Sequence, residues 1–551
     1  MSHIPASAPP SSRLKAMATT ERGLESPSVA WLSQVLSRAV CKAVAVGVAG
    51  GLAWALAGCA SAPPAEPSRA AGAVQAAAFR ASTISGSTFD ASWWQRFDDP
   101  VLTGLIDRSL AANLDVRQAI LRVDEARAGS AAAASRLAPT VSLGGSVADQ
   151  RSGLPTEVKR GMPDVRSMRL APELGWELDL FGAARAGANA AAAQAAAASF
   201  GVDGARLLVA SEVARQYFIW QGARARLQRL QSLVQAQAET ERLTRSREAA
   251  GQASRFDVSR AAGETASLAA QVPPLRSLVA TTEHQLAVLL GVSATTGLAE
   301  LDRAAAPRLP DVPLLAAGQP AELLKRRPDL RAAERQMAAE DARLQEARAD
   351  LLPKFFISAL FGGEDLTING RGFAPARYSN VGLAFTLPIF NAGRLNAAID
   401  RQSARERSAV LAYERSVLTA VQEVESSLVA LADERDRLAA LTETEAQRRT
   451  GLRHAESLLR EGQTDLLTLL DAQRGVLSAE LGSIDSRTQM ALGAVQLFKA
   501  MGGGWQVNPA AGGDPARRPS TDAPSSPPIA AVPSTALAIH SVSTALSKER
   551  P

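Results

Sequence analysis

Two stretches of this chain admit almost nothing but helix. From Arg394 to Glu461 there is no proline and only one glycine, Gly451. Ala, Leu, Glu, Arg and Gln dominate, residues that lose little on entering a helix. From Ala183 to Ala250 there is again no proline. At 1.5 Å per residue each run would reach roughly 100 Å, several times an ordinary helix. An ordinary globular core cannot cover that length. Gly251 closes the first run and Gly462 the second.

Each long run is entered from a strand. Val381, Leu383, Phe385, Leu387 and Ile389 alternate with Asn380, Gly382, Ala384, Thr386 and Pro388. That is period two, with one greasy face and one small or polar face. Ahead of the first long run, Leu170, Leu174, Trp176, Leu178 and Leu180 share a face, and Glu173, Gly175, Glu177 and Asp179 share the other. An earlier strand carries Val141, Leu143 and Val147 against Thr140, Ser142, Gly144 and Ser146. A loop rich in Gly, Pro and charge, Asp149–Arg166, separates the two. Before them a helix should open near Pro100, capped by Asp98 or Asp99, and continue toward Arg136. After Gly251 a shorter helical stretch runs to Leu290, interrupted at Pro273-Pro274.

The second half repeats the first. Leu178-Asp-Leu-Phe181 faces Leu387-Pro-Ile-Phe390 and Arg185 faces Arg394, both at an offset of 209. Gly251 faces Gly462 and Gly291 faces Gly502, at 211; Asp115 faces Asp329 and Pro139 faces Pro353, at 214. The unit is helix, strand, strand, long helix, turn, helix. A period above 200 residues means duplication, not a solenoid.

Charge and cysteine narrow the classes. The net charge is +5 over 551 residues, with Arg spread beside Glu and Asp along the helices. No basic block with interleaved aromatics stands out, which argues against nucleic acid as a partner. Cys41 and Cys59 are the only cysteines, so the body can hold no disulfide framework and no Cys-based metal site. The four histidines are His3, His284, His454 and His540, and neither helical one has a Cys or His at ligand spacing. No glycine-rich phosphate loop follows a strand. An enzyme reading finds no residues to stand on.

Residues 1–58 read as a targeting leader. Arg38 and Lys42 precede an apolar run, Ala43 to Ala57, short for a membrane span and flanked like a secretory h-region. Leu56-Ala57-Gly58-Cys59 resembles a bacterial lipobox, which implies a lipid on Cys59 as the mature N-terminus. A plain signal peptide with an incidental Cys is the competing reading. Ala60, where an Asp would favour inner-membrane retention, implies the outer membrane. Residues 59–91 form an Ala-, Pro- and Ser-rich anchored segment, and 505–551 a tail expected to be disordered.

Strands of about ten residues span a bilayer when tilted. In lipid they must close into a barrel, because an open edge leaves backbone groups unsatisfied. Four strands are too few. Two chains would give eight, a barrel filled by its own side chains; three would give twelve, with room for water. The short helices of each unit together match the rise of the long one, so each chain offers four helical rows. The expected fold is an α+β membrane protein. In it three chains would give a trimeric twelve-stranded β-barrel that runs into a twelve-helix α-barrel.

Here a resemblance becomes specific. It rests on Leu180-Phe-Gly182, Arg327-Pro-Asp-Leu330, Leu387-Pro-Ile-Phe390-Asn391 with Gly393-Arg394, and Gly462-Gln-Thr-Asp-Leu-Leu-Thr-Leu-Leu-Asp-Ala-Gln-Arg474. Together, in order and with the lipobox, they resemble a TolC-type outer membrane factor, in its lipid-anchored, NodT-like branch. The likeness covers Ser92 to Gly504, as repeat 1 (92–300), a connector (301–320) and repeat 2 (321–504). It implies a homotrimeric exit duct of a tripartite drug-efflux system, working with a periplasmic adaptor and an inner-membrane pump of the RND type. It implies no cofactor and no metal beyond the lipid on Cys59. It also implies a periplasmic gate just past the second turn, with Leu467 and Asp471 forming rings and Arg474 holding helices together. Asp257, after the first turn, is a weaker candidate for such a contact. In the barrel, Glu173, Glu177 and Asp179 are expected to face inward, or to lie near its periplasmic end, and to favour cations. A type I protein-secretion duct is the nearer alternative. A lipid-anchored structural coiled-coil protein is the alternative from another class, and it leaves the alternating strands unexplained.

Overall fold

The computed structural model describes residues 79–80, 92–151, 153, 163–302, 307–312 and 319–503. The leader, Cys59 and the tail from 505 lie outside the described residues, and the 301–320 connector is described in part. A 3-10 turn at Trp93–Phe97 leads into α1 (Pro100–Ala112) and α2 (Leu114–Ala134). Strands β1 (Thr140–Gln150) and β2 (Val165–Leu178) follow, then the long α3 (Ala183–Ala249). The chain returns through α4 (Arg255–Ala270) and α5 (Val272–Leu289), and passes the short α6 (Ala299–Asp302) and α7 (Pro320–Arg326). The second unit is α8 (Pro328–Ala349), β3 (Lys354–Ile368), the two-residue β4 (Arg371–Gly372), β5 (Ala376–Thr386), the long α9 (Arg394–Arg460) and α10 (Leu466–Ala500).

The long helices form as the proline-free runs require, and both are 67 residues long. Their starts correct the repeat register. Gly182 and Gly393 are the N-caps, both left-handed at φ +80° and +81°, which makes the offset 211 rather than 209. Arg185 therefore matches Asn396, not Arg394. Two extra residues, Asn391-Ala392, sit between Phe390 and Gly393 and account for the shift.

The helices lie side by side as a palisade. Near the sheet the order is α2, α3, α8, α9. Farther away α4 and α5 take the place of α2, and α10 takes that of α8. The shorter helices thus stack end to end alongside the long ones. The expected single helix toward Arg136 breaks at Asn113. This buried side chain caps α2 by accepting from the Asp115 and Val116 amides at 2.8 and 3.2 Å, and it donates to Leu289 O at the end of α5 (2.9 Å). The corresponding joint in the second unit uses Arg327. Its guanidinium grips Asp329, reaches Glu423 on α9 (2.7 Å), and donates to Ala500 O at the end of α10 (2.8 Å). The Arg-Pro-Asp motif is therefore more than a helix entry, since it ties three helices at one point.

The main core sits at this level. Trp93 stacks on Phe498 with ring centres 5.0 Å apart, and Phe97 packs on Phe218 at 4.9 Å. Asp99, not Asp98, caps α1, and its second oxygen accepts from the Tyr217 hydroxyl at 2.7 Å. Burial, then that carboxylate, pushes the Tyr217 hydroxyl well above its usual range.

The sheet is antiparallel in the order β1-β2-β3-β5, so the two repeats meet at β2 and β3. Its register aligns one apolar face. Val141 lies opposite Leu174, Trp176 opposite Ile357, Leu178 opposite Phe355, and Phe355 opposite Phe385. Val141, Val381, Leu383 and Phe385 are each about 70% exposed, so this face is built for an apolar surrounding. Two strands stop sooner than alternation suggests. β2 ends at Leu178 and β5 at Thr386. Beyond β2, Asp179 turns to cap α3; beyond β5, Pro388 has no amide to donate.

Candidate functional site

The end of the palisade far from the sheet is built from two similar turns. Gly251 and Gly462 take φ +73° and +71°, a backbone that L-residues with a side chain rarely adopt. Each closes its helix with a pair of back-reaching amides. Gly251 and Gln252 donate to Glu248 O and Arg247 O, and Gly462 and Gln463 to Leu459 O and Leu458 O. The return helices are capped differently. Ser254 and Asp257 form a reciprocal capping box on α4. Asp465 caps α10 by accepting from the Thr468 amide at 3.0 Å and from its hydroxyl at 2.8 Å. The Ser254 hydroxyl and amide hold Asp257 below the usual carboxylate range, and the Thr468 amide and hydroxyl do the same for Asp465.

The candidate gate residues separate on this frame. Leu467 is half-buried on the first turn of α10, and Asp471 follows one turn on, exposed. Asp471 meets Arg474 on its own helix at 3.4 Å. Arg474 also crosses to α4. It pairs with Glu264 through two bonds, of 3.0 and 2.7 Å. Asp257 is spent on the capping box and makes no helix-to-helix contact among the described residues.

Glu264 was not foreseen, although a signal existed. It stands thirteen residues past Gly251, and Arg474 twelve past Gly462, so opposite charges lie level on the two return helices. A second cluster went unforeseen. On α10, Glu480 is 4% exposed and receives Arg229 from α3 and Arg449 from α9, each through two bonds. One carboxylate thus fastens three helices above the tip.

The acidic trio of the sheet also separates. Glu173 and Glu177 share the face opposite the apolar one, with Arg169, Glu364 and Lys354. Arg169 pairs with Glu364 at 2.6 Å and Lys354 with Glu177 at 3.8 Å. Glu173 has no ion pair among the described residues. Asp179 lies past the strand and accepts from the amides of Ala184 (3.0 Å) and Arg185 (2.9 Å). The trio is therefore one unpaired carboxylate, one paired and one cap. Cys59 lies outside the described residues. No group of three metal-ligating side chains occurs among the described residues.

Comparison with known proteins agrees with this architecture. The family profile "Outer membrane efflux protein" matches residues 105–292 and 320–503. The toluene efflux pump outer membrane protein TtgC of Pseudomonas putida is 32% identical over 424 residues, 75% of this chain and 85% of that protein. Nodulation protein T of Rhizobium leguminosarum bv. trifolii is 32% identical over 409 residues, 72% of this chain and 84% of that one. The solved structure of the outer-membrane channel OprN superposes with a TM-score of 0.70 at 31% identity, covering 78% of this chain and 98% of that chain. One matched block covers the helices and strands of each half, and the chain belongs to the outer membrane efflux protein family.

Proposed function

We propose that three copies of this chain form the outer membrane exit duct of a tripartite efflux system. The observation that carries this is the sheet. Among the described residues its four long strands leave two free edges, β1 and β5, and one apolar face. A free edge in lipid leaves a row of backbone groups unsatisfied, so the sheet must close with other copies. Three copies supply twelve strands, enough for an aqueous bore. The palisade continues the same bore away from the membrane. The relatives named as efflux pump components favour small molecules over proteins as cargo. A periplasmic adaptor engaging the two turns and an inner-membrane pump complete the reading, and a lipid on Cys59 anchors each copy. Deleting the gene should sensitise cells to a panel of solvents and antibiotics, and the wild-type gene should restore resistance. Cys59→Ser should lose labelled palmitate and restore resistance only in part. Unchanged sensitivity across the panel would argue against an efflux duct.

The inner face of the four long strands carries Glu173, Glu177 and Glu364 against Arg169 and Lys354, one net negative charge per copy, while Arg371 of the two-residue β4 lies beside Ile368 at the turn end of that face. Three copies give a mildly negative bore that favours cations. Glu173→Gln should abolish that preference in planar bilayers. A wild-type channel selective for anions would count against this placement.

A further inference from the structure

The palisade ends in two sides, α2 with α4 and α5 on one and α9 on the other, and among the described residues the α9 side meets Arg80, whose amide donates to Glu425 (2.7 Å), seven residues below Leu418. Each carries leucines that nothing in the described chain covers. Leu114 and Leu121 are both 66% exposed, Leu411 is 64% and Leu418 is 61%. Each pair is seven residues apart and therefore on one helical face. On α2 that face points away from Val116, Ala119 and Val123, of which Ala119 and Val123 pack with Val202 of α3. On α9 it points away from Val417, Ala420, Val424 and Leu431, which join the main core.

The two sides can be levelled against each other through contacts within the chain. Arg136, just past the end of α2, reaches Glu346 on α8 at 3.1 Å. Six residues lower on α8, Glu340 accepts from Gln402 of α9 at 2.6 Å. Residue 396 of α9, six above Gln402, is then level with Arg136. Counting fifteen residues down each helix gives Leu121 and Leu411. Counting twenty-two gives Leu114 and Leu418. α2 rises toward the sheet while α9 descends from it, so the leucine stripes run antiparallel in register. Between the two levels stand Arg117 on α2 and Glu414 on α9, neither with an ion pair among the described residues. The free edge β1 belongs to the α2 side and the free edge β5 to the α9 side.

We propose that these stripes are the contact between neighbouring copies. Leu411 and Leu418 of one copy pack on Leu121 and Leu114 of the next, and Glu414 pairs with Arg117 across the seam. The proposal rests on the trimeric reading above and fixes its helical register. The contact is head-to-tail, with different surfaces on its two sides, as a closed ring requires.

Cysteine pairs test it in the full-length protein in native outer membranes. Leu121→Cys with Leu411→Cys, and Leu114→Cys with Leu418→Cys, should shift most of the protein into covalent dimer and trimer bands on oxidation. The mismatched pair Leu121→Cys with Leu418→Cys, and each single variant, should leave it uncross-linked, at the monomer position on a denaturing gel. Arg117→Glu should reduce the native trimer, and adding Glu414→Arg should restore it. A protein that runs as a native trimer yet cross-links through neither matched pair, or through the mismatched one, overturns the register alone. A protein that never runs as a trimer overturns the trimeric reading itself.

Discussion

Arg229→Met combined with Arg449→Met is expected to cost about 3–5 kcal/mol, because it strands the Glu480 carboxylate in a packed interior. The asymmetry of burial sets the sign. Glu480 is 4% exposed, while the Arg229 and Arg449 side chains are 40% and 53% exposed. Losing the carboxylate leaves two guanidinium groups that can turn to water. Losing the guanidinium groups leaves a charge that cannot. Glu480→Met alone should therefore be far milder than the arginine pair. Adding Glu480→Met to the two arginine changes should return the protein to within about 2 kcal/mol of wild type, since a buried ion cluster exchanged for apolar side chains is often neutral. Denaturant midpoints of the helical signal, read in detergent at one scan rate, order the variants. Equal losses for all three would mean that the cluster acts only by filling space.

The contrast explains what such a cluster is for. Helices this long can slide in register, and apolar seams rich in Ala and Leu resist a slip of one turn only weakly. A carboxylate that must meet one arginine on α3 and another on α9 has one height at which both bonds close. The Arg327 joint fixes a second height, at the middle of the palisade. The Arg474–Glu264 pair fixes a third at the tip.

Much of this was legible in the sequence, and the reason is periodicity. Two proline-free runs ending at Gly251 and Gly462 gave two helices of equal length, because helix content is written locally. Alternation around Val381–Phe385 and Leu174–Leu178 gave the strand faces. What stayed hidden depends on contacts distant in sequence. Asp179 alternates correctly with Glu177, yet it lies past the strand and caps α3. Asp257 looks like a free carboxylate until Ser254 is seen to share it. Asn113 breaks a helix that composition would continue, because the carbonyl of Leu289 waits for its amide. Glu480 and Arg229 carry no motif, and only the packed helices bring them together.

The last expectation concerns the tip and rests on the proposed duct. Leu467 and Asp471 stand on the first turns of α10, so in a trimer each would recur three times around the bore. A leucine ring resists wetting, and three close carboxylates repel one another, so something else must hold the tip closed. Asp471–Arg474 is an exposed contact within one helix and contributes only a few tenths of a kcal/mol. Arg474–Glu264 joins two helices through two charge-assisted bonds, with Glu264 14% and Arg474 50% exposed. Discounted for that exposure, it supplies about 1 kcal/mol per copy. Three copies together would bias the closed state by about 3 kcal/mol, on the order of a hundredfold in population. Arg474→Ala is therefore expected to open the resting channel. Single-channel conductance should rise, and cells should admit large antibiotics that the outer membrane normally excludes. Glu264→Gln should act in the same direction, and the double variant should add little, because each change already breaks the same link. Leu467→Ala and Asp471→Ala should also raise conductance, by widening and neutralising the ring rather than by releasing α4. If Arg474→Ala and Glu264→Gln both conduct like wild type, the latch is elsewhere. If the two add fully, they act on separate contacts.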